Sequence, residues 1–337
     1  MRARLYAFAG LLVMCAAGGT LVRGQQPPPS QGGIGQTPSS LPLTQTIRER
    51  GSSVTPAFEG WYYDKDGSVR LLIGYFNRNL KQEFDIPVGP NNRIEPGGPD
   101  MGQPTHFGTG RGWGVFSIAV PKDFGGDKKL TWTIVANGFT NAITLHTKSD
   151  YIVEPFEDPA NKNTPPKLKF NESGEAVTGP PKGIAEKYSA TAGAPLAITV
   201  WASDEGAKIN VPEQTGRGRR GRGAAAGAGG DAAGRGGAGR GDAPAIPPEF
   251  QPAPPLALTW SKFRGPGDVK FDSAKPKLDL DGGEKPSGSV SGKATVSVTF
   301  GAPGEYILRV EGNDSTGAGG GGFQCCWTSA HVGVTVK

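Results

Sequence analysis

Apolar and polar residues alternate one by one through the C-terminal stretch, and that two-residue period constrains the fold more than any other feature of the chain. Val296, Val298 and Phe300 alternate with Ser297 and Thr299. Tyr306, Leu308 and Val310 alternate with Ile307, Arg309 and Glu311, and Val332, Val334 and Val336 repeat the pattern. Such spacing belongs to strands with one buried face. Between the first two runs, Ala302-Pro303-Gly304-Glu305 predicts a turn, because Pro presets φ and Gly tolerates the bend. Three strands joined by tight returns are expected to make one antiparallel half of a β-sandwich.

The same period recurs upstream. Val69–Phe76, Gln82–Val88, Trp113–Val120 and Leu130–Ala136 all read as strands. Asp64-Lys65-Asp66-Gly67 and Asn137-Gly138 are hairpin signals. No stretch carries a convincing helical period. The expected fold class is therefore all-β, with two antiparallel β-sandwich domains.

Gly (54) and Pro (30) make up a quarter of the 337 residues, so part of the chain is not core. Residues 1–24 read as a secretory signal: Arg2 and Arg4 precede the short apolar run Leu5–Ala17 and then small residues. Residues 25–53 form a disordered linker rich in Pro, Gln and Ser. Residues 54–155 form the first sandwich, 156–184 a connector and 185–337 the second sandwich. Residues 212–254 are an Arg/Gly-rich insert too poor in apolar side chains to offset its ordering entropy. The expected product is exported, periplasmic or extracellular, with no transmembrane segment in the mature chain.

Charge narrows the partners. Of the formal +5, Arg2, Arg4 and Arg23 carry +3, and six Arg against two Asp give residues 216–242 a net +4, leaving −2 on the rest. The basic balance is not a property of the folded domains, and nucleic acid is not an expected partner.

The phrases TFGAPGEYILRVEGNDS, PLAITVWASDEG (Pro195–Gly206) and PPLALTWSKFRGPGDVKF (Pro254–Phe271) together resemble a PKD-type, immunoglobulin-like domain. The resemblance covers roughly Ala185 to Lys337 and implies a buried Trp on the third strand. It implies little about activity, since such sandwiches serve many roles. The phrases GWYYDKDGSVRLLIGYFNRN, FSIAVPKDFG and GGGGFQCCWT resemble an uncharacterised family of exported bacterial proteins, which implies the domain layout alone.

Cys325-Cys326 is the most unusual motif. Without the signal these are the only cysteines, so a vicinal disulfide is expected in an oxidising compartment, although adjacent Cα atoms lie closer than disulfides favour. The alternatives are an intermolecular disulfide, or a soft-metal or redox site formed with His331. Asp100, Gln103 and His106 lie on a long Gly/Pro-rich loop and are candidate ligand-loop residues, or ordinary side-chain hydrogen bonders of that loop. Asp64/Asp66 and Asp279/Asp281 are better explained by turns than by calcium. Trp61, Tyr62, Tyr63 and Trp113 suit a sugar-stacking platform, or core. No GxSxG elbow, phosphate-binding loop or HExxH is present. The sequence therefore points to a non-catalytic protein for binding, adhesion or envelope-surface organisation, with no cofactor. Its expected partner is a cell-surface polymer, a glycan or an envelope protein. A thiol or metal site and a polysaccharide-acting enzyme are the alternatives.

Overall fold

The computed structural model describes residues 48–159, 162–206, 256–282, 289–314 and 326–337. The expected signal, most of the linker 25–53, the insert 212–254 and Cys325 lie outside the described residues.

Eight strands build the first half: β1 (Val54–Tyr63), β2 (Val69–Asn77), β3 (Phe84–Asp85), β4 (Asn92–Glu95), β5 (His106–Phe107), β6 (Gly110–Val120), β7 (Leu130–Ala136) and β8 (Phe139–Leu145). They form the sheets β1-β2-β6 and β4-β7-β8 and the ribbon β3-β5. Leu71, Ile73, Phe116 and Ile118 from the first sheet share a core with Ile94, Trp132, Ile134 and Leu145 from the second. Trp132 is fully buried. It meets Phe116 edge-on at 5.1 Å and donates its indole N–H to Asn92 Oδ1 at 3.0 Å. The β7–β8 hairpin turns at Asn137-Gly138, where φ is 50° and 78°. Positive φ at both central residues is what the tightest hairpin turn requires.

Among the described residues, nine strands build the second half: β9 (Lys167–Lys169), β10 (Ile184–Ala190), β11 (Pro195–Asp204), β12 (Leu256–Arg264), β13 (Val269–Phe271), β14 (Asp279–Leu280), β15 (Val290–Phe300), β16 (Gly304–Asp314) and β17 (Trp327–Val336). The sheet β10-β17-β16-β12 faces the sheet β13-β15-β11-β9, with β14 on β15. Ile198, Val200, Val296 and Val298 meet Trp260, Leu308, Val310 and Val332 between them. The all-β class expected from the alternation is the observed one.

Three details depart from expectation. β15 and β16 do not pair: they lie in opposite sheets, and of the three expected neighbours β16 and β17 alone are hydrogen-bonded to each other. The Ala302–Gly304 turn carries the chain across the core. Gly301 N–H donates to Asp268 O at 2.9 Å on the β13 side, and Phe300 and Tyr306 bury their rings 4.9 Å apart at the crossing. Alternation shows which side chains share a face but not which strand lies next door. The expected connector 156–184 supplies β9, which pairs with β11 and buries Leu168 completely. β10 pairs with β17 in parallel, unlike the other strand pairs described.

The two halves also pack on each other. The outward face of β16 and β17, charged enough to read as solvated, lies against the first half. Trp327 joins Tyr62 and Leu72 in a small third core, and Phe263 and Ile307 extend the first. No helix among the described residues is long and apolar enough to cross a membrane.

Candidate functional site

The loop from β4 to β5 is held at both ends. Asp100 makes a two-pronged ion pair with Arg264 of β12, at 2.8 and 3.0 Å. Hydrogen bonding from Arg264 holds its carboxyl below the usual range. Arg264 Nε also donates to Gln103 O at 2.8 Å. Gln103 is fully buried. It accepts from Met101 N–H at 2.8 Å and donates to Pro99 O. Asn92, which the sequence reading did not single out, donates to Ile86 O and Pro104 O at 3.0 and 2.7 Å. At the far end Thr105 N–H donates to Phe263 O at 3.1 Å, a backbone link between the halves.

His106 stands apart from Asp100 and Gln103 in its contacts. Its Nδ1 lies 3.0 Å from Asp85 Oδ1 and its Nε2 3.4 Å from Glu83. Lys262 lies 2.7 Å from the same Asp85 oxygen. Burial pushes the Asp85 carboxyl up, but hydrogen bonds from Lys262 and His106 more than offset this and hold it low. All three loop candidates therefore position the loop.

What the clamped loop presents is a groove. One wall is Pro96, Gly97 and Met101, and the other is Phe124 and Leu130, with Lys128 and Lys129 beside them. Its volume is about 550 Å³. Past Pro96-Gly97 it meets a second groove of about 630 Å³ lined by Gly89, Pro90, Arg93 and Pro99. Two of the nearby cations are paired: Arg93 with Glu95 at 2.9 Å, and Lys128 with Asp123.

A second polar cluster lies between the halves. Glu59 of β1, its side chain 1% exposed, accepts from Arg111 at 2.9 Å and from Gly114 N–H at 2.8 Å. Arg309 donates to Trp113 O and Ser329 Oγ, at 2.8 and 2.7 Å, and pairs with Glu311. Burial raises the Glu59 carboxyl to about 7 against the pull of Arg111, Gly114 N–H and Arg309. A Cβ on Gly74 would stand 2.0 Å from Glu59 Oε1, so only glycine leaves room for this carboxylate. The sequence carries one hint of the cluster: a Glu inside the otherwise apolar run around Phe58 and Trp61.

Only Cys326 and His331 of the suggested thiol–histidine site lie among the described residues. Cys326 is disulfide-bonded, and the chain's other cysteines, Cys15 and Cys325, lie outside the described residues. His331 lies five positions along extended chain, about 16 Å at ~3.3 Å per residue. Its Nε2 is 3.0 Å from Val115 O, and its ring lies 4.1 Å from that of Phe263. Burial, reinforced by Arg309, drives the imidazole down to about 3, so it is neutral at neutral pH.

The suggested stacking platform is largely core. Trp61 and Tyr62 are buried, Trp113 lies under the Arg111 guanidinium at 4.0 Å, and Tyr63 remains exposed. Asp64 is buried with Lys182 at 3.2 Å, and Asp279 and Asp281 lie on the surface.

No protein-family model matches the chain, and no curated protein matches it.

Proposed function

We propose that the chain is an exported, non-catalytic binding protein that holds a glycan strand of a cell-surface polymer in the groove beside the 96–101 loop. The observation that carries this reading is a groove with apolar walls, built on a loop anchored to both halves. The faces of sugar rings are apolar and pack on Pro, Met and Phe side chains, while Lys129 supplies donors to hydroxyl or carboxylate groups. Fixing the loop before the ligand arrives removes part of the ordering entropy that binding would otherwise lose. The apolar N-terminal run followed by small residues supports export. In this reading the second sandwich is the scaffold that supplies Arg264 and Phe263.

The test is co-sedimentation of the secreted protein with insoluble cell-wall polysaccharides, together with calorimetry on soluble anionic glycans. Phe124→Ala and Met101→Ala are each expected to weaken binding about tenfold, the loss of one buried apolar contact worth roughly 1.4 kcal/mol. Binding indifferent to both variants, or release of reducing sugar, would overturn the proposal.

A further inference from the structure

The core of the second sandwich ends on two carboxylates. On β11 the inward positions are Ile198, Val200 and Ala202, and the next is Asp204. On β16 they are Tyr306, Leu308, Val310 and Gly312, and the next is Asp314. The two strands belong to facing sheets. The two-residue period therefore drives both aspartates into the space between the sheets, where further apolar side chains would be expected.

Both residues are more than nine-tenths buried, at 7% and 4% exposure. Asp204 Oδ2 accepts from Gly206 N–H at 3.0 Å. Its Oδ1 has no hydrogen-bond partner among the described residues, and no described Lys or Arg pairs with this side chain. Asn163, 1% exposed, donates its amide to Asp314 Oδ2. Asp314, also buried, stands beside Asp204 as a second carboxylate. A buried anionic oxygen without a partner is strongly unfavourable.

We propose that Asp204 and Asp314 form a calcium site that ties the two sheets of the second sandwich together. The donors are all oxygen, with no His or Cys sulfur or nitrogen to favour a softer metal. Two carboxylates from facing sheets suit a hard cation that accepts flexible geometry and completes its shell with water. The ion would satisfy Asp204 Oδ1, which has no hydrogen-bond partner among the described residues. This site is distinct from the Asp-rich turns 64–66 and 279–281, whose carboxylates are engaged or exposed.

The full-length secreted protein, stripped with a chelator and dialysed, is titrated with calcium chloride by calorimetry and by thermal unfolding. Saturable binding is expected, with a rise in unfolding midpoint of roughly 3–6 °C at ten times the dissociation constant. Asp204→Asn and Asp314→Asn should each abolish both signals, and the surface variant Asp281→Asn should keep them. The wild-type titration is decisive even if a core variant is not secreted. No binding heat and an unmoved midpoint in the stripped wild type would overturn the proposal, as would an Asp204→Asn protein that responds like the wild type.

Discussion

Replacing Glu59 by Gln tests whether burial or ion pairing governs the junction between the two halves. The folded protein holds the Glu59 proton until about 7, against an ordinary value of 4.5. Between these values the folded state binds more protons than the unfolded chain, so stability is fully present below about pH 4.5 and falls as pH rises towards 7. At about 1.4 kcal/mol per pH unit of separation, the loss is about 3 kcal/mol by pH ~8. The absolute profile of the wild type is not a clean readout, because His331, held down to about 3, contributes with the opposite sign. A histidine with a depressed pKa loses stability as pH falls below its unfolded value. The difference between Glu59→Gln and wild type cancels that contribution. Gln resembles the protonated acid: it sets an N–H₂ group near the donors of Arg111 or Gly114, a fixed penalty of about 1–3 kcal/mol. Urea unfolding of both proteins from pH ~4 to ~8 should show the variant gaining about 3 kcal/mol on the wild type over that range. A pH-independent difference would refute the reasoning. So would a variant that falls further behind as pH rises, which would mean that Arg111 and Arg309 keep the carboxylate ionised in the folded state.

Other outcomes follow from the same contacts. Trp327→Ala empties the small core shared with Tyr62 and Leu72, and denaturant unfolding should show a loss of about 3–5 kcal/mol. Gly114→Ala sets a Cβ 2.0 Å from the Trp327 ring at a φ of 45°, so it should destabilise by more than about 1 kcal/mol in the same assay. Arg264→Ala removes a partly exposed pair with Asp100 and should change global stability by about 1 kcal/mol or less. Amide exchange at Met101 and Gly102 should nevertheless quicken, and unchanged exchange there would show that the loop does not depend on this clamp. Cys326 should resist alkylation in the denatured, unreduced protein and react only after reduction; labelling before reduction would contradict the disulfide.

Much of the fold was legible residue by residue. The two-residue period marks the inward faces of β15, β16 and β17, and Asn137-Gly138 marks its hairpin, because both signals are local. The candidate site was legible only as a loop. Asp100, Gln103 and His106 sit on the stretch that builds the groove, but each is used to hold it. Their partners, Arg264, Pro99 and Asp85, include one that is more than a hundred positions away in the chain. Phe124 and Leu130, the opposite wall, carry no sequence mark that separates them from ordinary core residues.

Sequence alone determined the all-β class and the turn positions, since these depend on neighbours one or two residues apart. Tertiary structure decided that β15 and β16 part company, that the 156–184 segment joins a sheet and that Arg309 and Glu311 face the first half. It also decided that Glu59 holds its proton near neutral pH. Each of these depends on which distant surface removes water from a side chain, and alternation along one strand carries no information about the surface that will cover it.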